Sequence, residues 1–244
     1  MSKRTLVIGD IHGGYKALLQ VLEKADIKST DKLIFLGDYV DGWSEPDKVI
    51  DLLLELQQTH NCIFIRGNHD QLLTDWLLEK TDNPLWLQHG GQPTLDCYER
   101  LSLEKINTHL VFFQNLRNYY VDNSNRLFIH AGFTSLHGPE KEYHNTPFYW
   151  DRTLWETALA LDDRIAETDA RFPKRLQLFS EIFIGHTPTL RIGKTEPVRV
   201  ANITNVDTGA AFTGPLTVLD VESGDFWQSS PLPELYPNEK GRNG

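Results

Sequence analysis

Aspartate, asparagine and histidine side chains recur at the ends of short apolar runs, and these residue types together bind transition-metal ions. Each run is rich in branched or aromatic residues and stops at such a side chain, often after glycine, as a strand does when it enters a functional loop. In open α/β sheets, ligands gather at the carboxyl ends of the strands, so we expect these side chains to meet. The six residues are Asp10, His12, Asp38, Asn68, His130 and His186.

These six residues offer three oxygen and three nitrogen ligands. Carboxylate or amide oxygen with imidazole nitrogen suits Mn, Fe or Zn better than Ca or Mg. If one carboxylate is shared between two ions, the set makes a two-metal site. Two ions about 3.5–4 Å apart can clamp a phosphoryl group and lower the pKa of a bridging water toward about 7.

The spacing of apolar residues predicts the elements that position these side chains. Helices are predicted at 15–25 and 46–59, where apolar residues recur three and four apart on one face. Because strands precede, separate and follow these helices, the order predicts a parallel, helix-covered sheet. The predicted strands are 5–8, 32–36, 62–65, 126–129, 181–184, 203–206 and 216–219.

Helical patterns also follow the third strand, at 71–80 and 103–116, with a Gly-Gly-Gln-Pro break at 90–93. They predict a helical cap inserted at about 71–120. Another helical region is expected at about 147–163, and the tail after Ser223 is expected to lie on the surface or fray. Because there is no repeat, low-complexity tract or linker, residues 1–244 are predicted to form a single domain.

The composition excludes several classes of protein. With 24 Lys and Arg against 34 Asp and Glu, the net charge of −10 disfavours nucleic-acid and anionic-membrane partners. A 40% hydrophobic chain is neither disordered nor fibrous, and two cysteines are too few for a disulfide scaffold. The apolar stretch at 6–8 is too short for a secretory signal or a membrane span, which predicts a cytoplasmic location.

Three motifs resemble those of the calcineurin-like metallophosphoesterases: Gly-Asp-Ile-His-Gly at 9–13, Gly-Asp-Tyr-Val-Asp-Gly at 37–42 and Gly-Asn-His-Asp at 67–70. Histidines at 130 and 186 follow downstream. The Asp-Tyr-Val-Asp form is similar to the phosphoprotein phosphatase branch, which includes serine/threonine phosphatases and bacterial diadenosine tetraphosphatases. The stretches at 89–95 and 206–210 are similar to bacterial members of that branch. The resemblance implies a four-layer α/β/β/α sandwich with a di-metal site at the strand carboxyl ends.

The resemblance also implies how the ligands divide between two divalent ions, which are Mn first, with Fe or Zn as alternatives. Asp10 and His12 bind the first ion, Asp38 bridges, and Asn68, His130 and His186 bind the second.

An acid is expected beside this centre. Asp41 lies three residues after Asp38, close enough to orient His69. The His69 imidazolium can then protonate the leaving oxygen while a bridging hydroxide attacks phosphorus in line.

Arginines are the expected phosphate ligands because the guanidinium fork matches phosphate oxygens. Arg66 precedes the third motif directly, and Arg152 resembles an arginine of the bacterial phosphatases. At Gly42 the family pattern usually has an arginine that grips the substrate phosphate, so one clamp is missing or supplied from elsewhere. Trp43, next on this loop, is expected to rim the site, where it could stack on an aromatic substrate group.

Other titratable residues receive weaker interpretations. Asp207 is expected to hold a turn or to hydrogen-bond a histidine ligand rather than to bind metal. No role is assigned to His60, His89, His109, His137 and His144.

Taken together, the residues and the resemblance imply a metal-dependent phosphatase acting on phosphoseryl or phosphothreonyl proteins, with phosphotyrosyl proteins as further substrates. The main alternative is a dinucleoside polyphosphate hydrolase that cleaves diadenosine tetraphosphate at the same site. A third interpretation is a phosphate-binding module without turnover, against which His69 and Asp41 argue, since binding alone needs no paired acid. The expected partner is a phosphorylated protein or peptide, or a small molecule that contains phosphate.

Overall fold

Two five-stranded sheets form the centre of the computed structural model, which describes residues 3–81 and 83–243. The strands in these ranges are β1 (Thr5–Ile8), β2 (Lys32–Phe35), β3 (Asn61–Phe64), β4 (Tyr119–Val121), β5 (Arg126–Ile129), β6 (Glu181–Ile184), β7 (Val198–Val200), β8 (Ile203–Asn205), β9 (Thr217–Asp220) and β10 (Phe226–Gln228). The α-helices are α1 (Tyr15–Lys24), α2 (Pro46–Thr59), α3 (Asn68–Glu79), α4 (Pro84–Trp86), α5 (Gln92–Tyr98), α6 (Leu103–Gln114), α7 (Thr146–Trp150), α8 (Thr153–Leu159) and α9 (Leu232–Leu235).

The first sheet has the strand order β10-β9-β1-β2-β3. Its strands β1, β2 and β3 are parallel, with Leu6 opposite Leu33 and Leu33 opposite Cys62. This confirms the parallel arrangement predicted from the alternating strands and helices. Because parallel strands end at one edge, the loops after β1, β2 and β3 lie side by side.

The second sheet has the order β4-β5-β6-β8-β7. Its central strands β5, β6 and β8 are parallel, and β4 and β7 pair antiparallel at the two edges. The loops that follow β5 and β6 therefore also share an edge.

Three apolar clusters divide the molecule into four layers. Val7, Ile34, Phe128 and Phe183 belong to the cluster that joins the inner faces of the two sheets. A second cluster packs helices α1, α2, α3, α5 and α6 on the outer face of the first sheet, and a third packs α7 and α8 on the second. The predicted α/β/β/α sandwich is confirmed.

Helices α3 to α6 occupy the chain between β3 and β4, where the cap is predicted. The break predicted at 90–93 is a π-helical turn, Leu87–Gly91, after which α5 begins. His109 on α6 is buried and hydrogen-bonds the Tyr98 hydroxyl (2.9 Å) and Asp51 of α2 (3.0 Å), so it braces these helices. The assignment of residues 1–244 to one domain with a cap stays a prediction.

The tail after Ser223 differs from expectation. It forms strand β10, and Leu232 and Tyr236 are buried. The Tyr236 ring stacks on Trp43 at 5.2 Å, and Glu239 accepts hydrogen bonds from the backbone and hydroxyl of Ser44. The expectation of a surface or frayed tail is wrong because its few apolar residues cover the loop after β2.

Within the described ranges, no helix has the length and apolar character of a membrane span. The longest, α2, has 14 residues, against the roughly 20 that a bilayer requires.

Candidate active site

The loops after β1, β2 and β6 hold four site residues in an unusual backbone conformation. His12, Asp38, Asp41 and His186 have φ values of 53°, 51°, 71° and 67°. Non-glycine residues rarely adopt this left-handed region, and a strained backbone of this kind clusters at functional sites. The turns therefore orient these side chains, and the surrounding structure stabilises their unfavourable backbone conformation.

Asp38 lies at the centre of the site, between two imidazoles. Its Oδ2 is 3.5 Å from His12 Nε2 and 3.4 Å from His130 Nε2, and its Oδ1 accepts the His69 N–H at 2.9 Å. The close approach needs glycine at position 67, because a Cβ there would lie 2.1 Å from Asp38 Oδ1. This arrangement has the geometry of a carboxylate that can serve two cations.

The structure brings a first group of ligand atoms together on the first sheet. One ligand atom from each of His12, Asp38 and His69 lies within 4.8 Å of the others. Asp10 Oδ2 is 4.0 Å from His12 Nε2 and accepts the His186 N–H at 3.0 Å. The other carboxylate oxygen of Asp10 is buried and has no hydrogen-bond partner among the described residues.

A second group combines residues from both sheets. Asp38, His130 and His186 offer ligand atoms within 4.8 Å of one another. Asn68 Oδ1 is 3.2 Å from His130 Nε2 and 2.9 Å from His186 Nδ1. His130 donates its Nδ1–H to the Leu36 carbonyl at 2.9 Å, so its Nε2 is turned to the site.

The pKa values of Asp38 and His130 are strongly shifted from their usual values. Burial would raise the pKa of Asp38, but neighbouring His130 and His69 hold it well below its usual range. Burial would lower the pKa of His130, but Asp38 and Asp10 raise it to about 10. A proton on His130 thus balances buried carboxylates when no cation does.

At the other buried candidate ligands, the pKa shifts in the direction that burial dictates. Loss of water lowers the pKa of His12 and of His186 well below the usual value. Burial and the nearby Asp207 raise the pKa of Asp10. Burial thus favours the neutral imidazole, which is the form that can bind a metal ion.

His69 and Asp41 form the hydrogen-bonded pair that the sequence predicts. His69 donates Nδ1–H to Asp41 Oδ2 at 2.5 Å, and both side chains are buried. The cap helices complete the arrangement: Trp86 Nε1 donates to the same Asp41 oxygen at 2.7 Å, and Thr94 Oγ1 accepts the Asp41 N–H at 2.8 Å.

Asp70 has a role that the sequence analysis missed. Its carboxylate accepts the backbone N–H groups of Asp38, Tyr39 and Gly67, each at 2.8 Å. Burial and the charge of Asp38 raise its pKa to about 7. Asp70 therefore ties the loop after β2 to the start of α3. The only signal for it in the sequence was its place in the third motif.

The two predicted phosphate ligands lie in different surroundings. Arg66 donates to Gln71 Oε1 and to the Phe113 carbonyl, both at 2.8 Å, which links α3 to α6. Arg152 is half-buried, and its Nε has no hydrogen-bond partner among the described residues. Burial, then the charges of Arg191 and Arg242, lower the pKa of Arg152. Phosphate binding by either arginine stays a prediction.

Two side chains near the site have structural roles. Trp43 is fully buried under Tyr236, and its Nε1 donates to the Ala210 carbonyl at 2.7 Å, so the expectation that it stacks on substrate is wrong. Asp207 Oδ1 accepts the Gly209 N–H at 2.9 Å and holds the turn, as expected. Burial raises the pKa of Asp207 to about 6.

Comparison with known proteins gives a family match over most of the chain. The family model described as calcineurin-like phosphoesterase matches residues 3–211. The asymmetrical bis(5'-nucleosyl)-tetraphosphatase PrpE of Oceanobacillus iheyensis is 26% identical over 235 residues, which cover 90% of this chain and 89% of that protein. Serine/threonine-protein phosphatase 1 of Salmonella typhimurium is 25% identical over 229 residues, which cover 88% and 91%.

Solved structures show the same fold. A putative diadenosine tetraphosphatase has a TM-score of 0.64 at 16% identity, with 93% of each chain covered. A protein serine/threonine phosphatase from Saccharomyces cerevisiae has a TM-score of 0.62 at 15% identity, with 99% of this chain and 84% of that chain covered.

Proposed function

The chain belongs to the calcineurin-like phosphoesterase family, whose members hydrolyse phosphoric esters, and we propose that it removes phosphate from phosphoseryl and phosphothreonyl proteins with the help of two divalent ions. The observation that carries the proposal is the placement of Asp38 between His12 and His130, directly beside the His69–Asp41 pair. A site with both a shared carboxylate and a paired acid is suited to turnover rather than to binding alone.

The proposed ligands fit divalent cations. Asn68 Oδ1 faces two imidazole nitrogens that lie closer than 3.5 Å, and a carboxylate oxygen of Asp10 is buried without a partner. Cations bound among these atoms would be coordinated by the Asn68 oxygen and by the unpartnered Asp10 oxygen. In this proposal, Asp10 and His12 hold one ion, Asp38 bridges, and Asn68, His130 and His186 hold the other.

The mixed oxygen and nitrogen donors favour Mn, with Fe or Zn as alternatives. Bound ions supply charge stabilisation for the phosphoryl group and activate a water as nucleophile near neutral pH.

His69 is proposed as the general acid. With Nδ1–H held by Asp41, only Nε2 of the ring is free to deliver a proton to the leaving oxygen. Trp86 fixes the same Asp41 oxygen from the cap, so we infer that the cap keeps the acid oriented. Arg66 and Arg152 are proposed to bind the phosphate oxygens that face away from the ions.

A substrate panel tests the proposal. The protein is loaded with Mn²⁺, its metal content is quantified, and initial rates are measured on phosphoserine, phosphothreonine and phosphotyrosine peptides, p-nitrophenyl phosphate and diadenosine tetraphosphate. We expect the phosphoserine and phosphothreonine peptides to give the highest kcat/KM. Two bound metals with no hydrolysis of any ester would instead support a binding module.

A dinucleoside polyphosphatase is the second candidate, and a cavity favours it. A cavity of about 500 Å³ is lined by Tyr143, His144 and Trp150 among others. The ring of Trp150 is 6.2 Å from that of His186. Aromatic side chains there could stack on adenine, and PrpE is named for this activity. Faster cleavage of diadenosine tetraphosphate than of any phosphopeptide would select this candidate.

A further inference from the structure

The tail returns to the candidate active site and ends in a 3₁₀ turn, Gly241–Asn243, that carries an arginine. The backbone N–H of Arg242 donates to the Ala211 carbonyl at 2.8 Å. Gly241 lies against Trp43 so closely that a Cβ there would be 2.6 Å from the indole ring. The turn is therefore fixed on Trp43 of the loop after β2 and on Ala211 of the loop after β8, and Tyr236 of the same tail stacks on Trp43.

The Arg242 side chain runs between two loops that both have glycine at the point of contact. A Cβ on Gly90 would lie 2.7 Å from Arg242 Cγ, and a Cβ on Gly42 would lie 3.5 Å from the same atom. The two loops are joined by a hydrogen bond from the Gly42 N–H to the Gly90 carbonyl at 2.8 Å. A Cβ on Gly42 would also lie 3.4 Å from His12 Cβ, so this glycine lies between the arginine stem and a proposed metal ligand.

Within residues 3–81 and 83–243, no anionic group pairs with Arg242. Among the described residues, its guanidinium makes no ion pair or side-chain hydrogen bond, and its Nε is buried without a partner. Exposed arginines elsewhere behave differently: Arg164 pairs with Asp162 at 2.6 Å and Arg171 with Asp169 at 2.7 Å. A buried donor that lacks a partner in an acidic protein is costly unless a ligand satisfies it.

The charge of Arg242 is felt inside the site. After burial, the charges of His69 and Arg242 are among the causes that lower the pKa of His12. Arg152 acts on His186 in the same direction. Both guanidinium groups therefore lie close enough to the site for their charges to act on its histidines.

We propose that Arg242 is a phosphate-binding residue, which supplies from the tail the clamp that Gly42 lacks. The proposal rests on the proposed function, because the anion it holds is the phosphoryl group of the substrate. The guanidinium fork would donate two hydrogen bonds to phosphate oxygens of the substrate. Because the half-buried side chain is already restricted between Gly42 and Gly90, it loses less conformational entropy when it binds an anion.

Phosphate affinity tests the proposal directly. Inorganic phosphate is titrated into the Mn²⁺-loaded protein by calorimetry, with equal metal content verified for wild type, Arg242→Ala, Arg242→Lys and Lys240→Ala. We expect Arg242→Ala to weaken binding about 10- to 100-fold, the size of a lost charge-assisted contact. The phosphate affinity of Arg242→Lys should lie between those of wild type and Arg242→Ala, because lysine keeps the charge but lacks the guanidinium fork.

Lys240→Ala is the matched control, since it removes the same charge from the same tail. It should stay within about twofold of wild type, because exposed charges contribute little. Guanidinium added to Arg242→Ala should restore part of the turnover of p-nitrophenyl phosphate and should not change Lys240→Ala. A structural role for Arg242 would not produce this rescue.

Unchanged phosphate affinity in Arg242→Ala, or no phosphate binding by the loaded wild type, overturns the inference. The proposed function fails separately. If the wild type hydrolyses no phosphoester but binds phosphate through Arg242, the inference stands alone. If it hydrolyses phosphopeptides and Arg242→Ala binds phosphate normally, only the inference is lost.

Discussion

Asp38 is the single residue on which both proposed cation positions depend. Its Oδ2 faces imidazoles on both sides, while its Oδ1 is engaged by the His69 N–H. The meeting of these side chains was predictable because each residue type stands directly after a strand, which is local information. The left-handed turns at His12 and His186 were not, since they depend on contacts across the fold.

Asp38→Asn should reduce the metal content of the protein from two ions to less than one. The amide keeps the shape but removes the charge that both ions share. Elemental analysis after dialysis against Mn²⁺ measures the stoichiometry. Asp220→Asn, a buried aspartate of β9 outside both ligand groups, should retain both ions. Two tightly held ions in Asp38→Asn would disprove the bridging role.

His69→Asn should slow turnover by roughly 10²–10⁴-fold, the usual contribution of a positioned acid. Metal content should not change, because Asp10 rather than His69 is proposed as the ligand. The measurement is kcat with an alkyl phosphate, whose leaving group needs a proton, alongside elemental analysis. His137→Asn, at an exposed loop position, is the control. Loss of an ion from His69→Asn would assign His69 to the metal site instead.

Metal affinity should increase with pH. The pKa of His130 is raised to about 10 by Asp38 and Asp10, against the effect of burial. Below that pH the metal-free site holds a proton that an entering cation must displace, so affinity rises with pH and levels off above it. The slope should reach up to about tenfold per pH unit. Calorimetry from pH 6 to 9 measures it, and a constant dissociation constant would contradict the shift.

At the scale of the elements, strongly periodic segments were predictable and short edge strands were not. Helix α2 has the predicted bounds, Pro46–Thr59. Strands β4, β7 and β10 have three residues each and were not predicted, because their pairing depends on neighbours distant in sequence. Helix α3 begins at Asn68, three residues earlier than predicted, since Gly67 and Asp70 cap it.

Asp70→Asn should destabilise the metal-free protein by roughly 1–3 kcal/mol, because an amide nitrogen would face backbone N–H groups that need an acceptor. The loops after β2 and β3 lose their common anchor. Urea unfolding in chelator measures the free energy of unfolding. Asp75→Asn, exposed on the same helix, should change it little. Equal stability of the two variants would remove Asp70 from this role.

At the scale of the whole molecule, the site lies where two sheets meet. The stacked rings of Phe128 and Phe183, 5.0 Å apart, belong to the apolar layer between the sheets. The hydrogen bond from His130 to the Leu36 carbonyl crosses from one sheet to the other. The four-layer architecture was predictable from the motifs, whereas the return of the tail to the site was not.

Removing the ions should lower thermal stability. Ligand binding at 100 times the dissociation constant contributes about 2.7 kcal/mol per ion, or ~5–10 °C for a chain of this size. Scanning calorimetry with and without chelator measures the shift in Tm. Asp38→Asn should respond little to chelator, and an equal shift in that variant would place the stabilising ions elsewhere.

The two proposed cation positions differ in the sheets that supply their ligands. Asp10, His12 and Asp38 come from loops of the first sheet alone, whereas His130 and His186 come from the second. A change that weakens the apolar layer between the sheets, such as Phe128→Ala or mild denaturant, should disrupt only the cation position whose ligands come from both sheets. The ions should therefore leave in order, and a mono-metallic intermediate should accumulate before the protein unfolds.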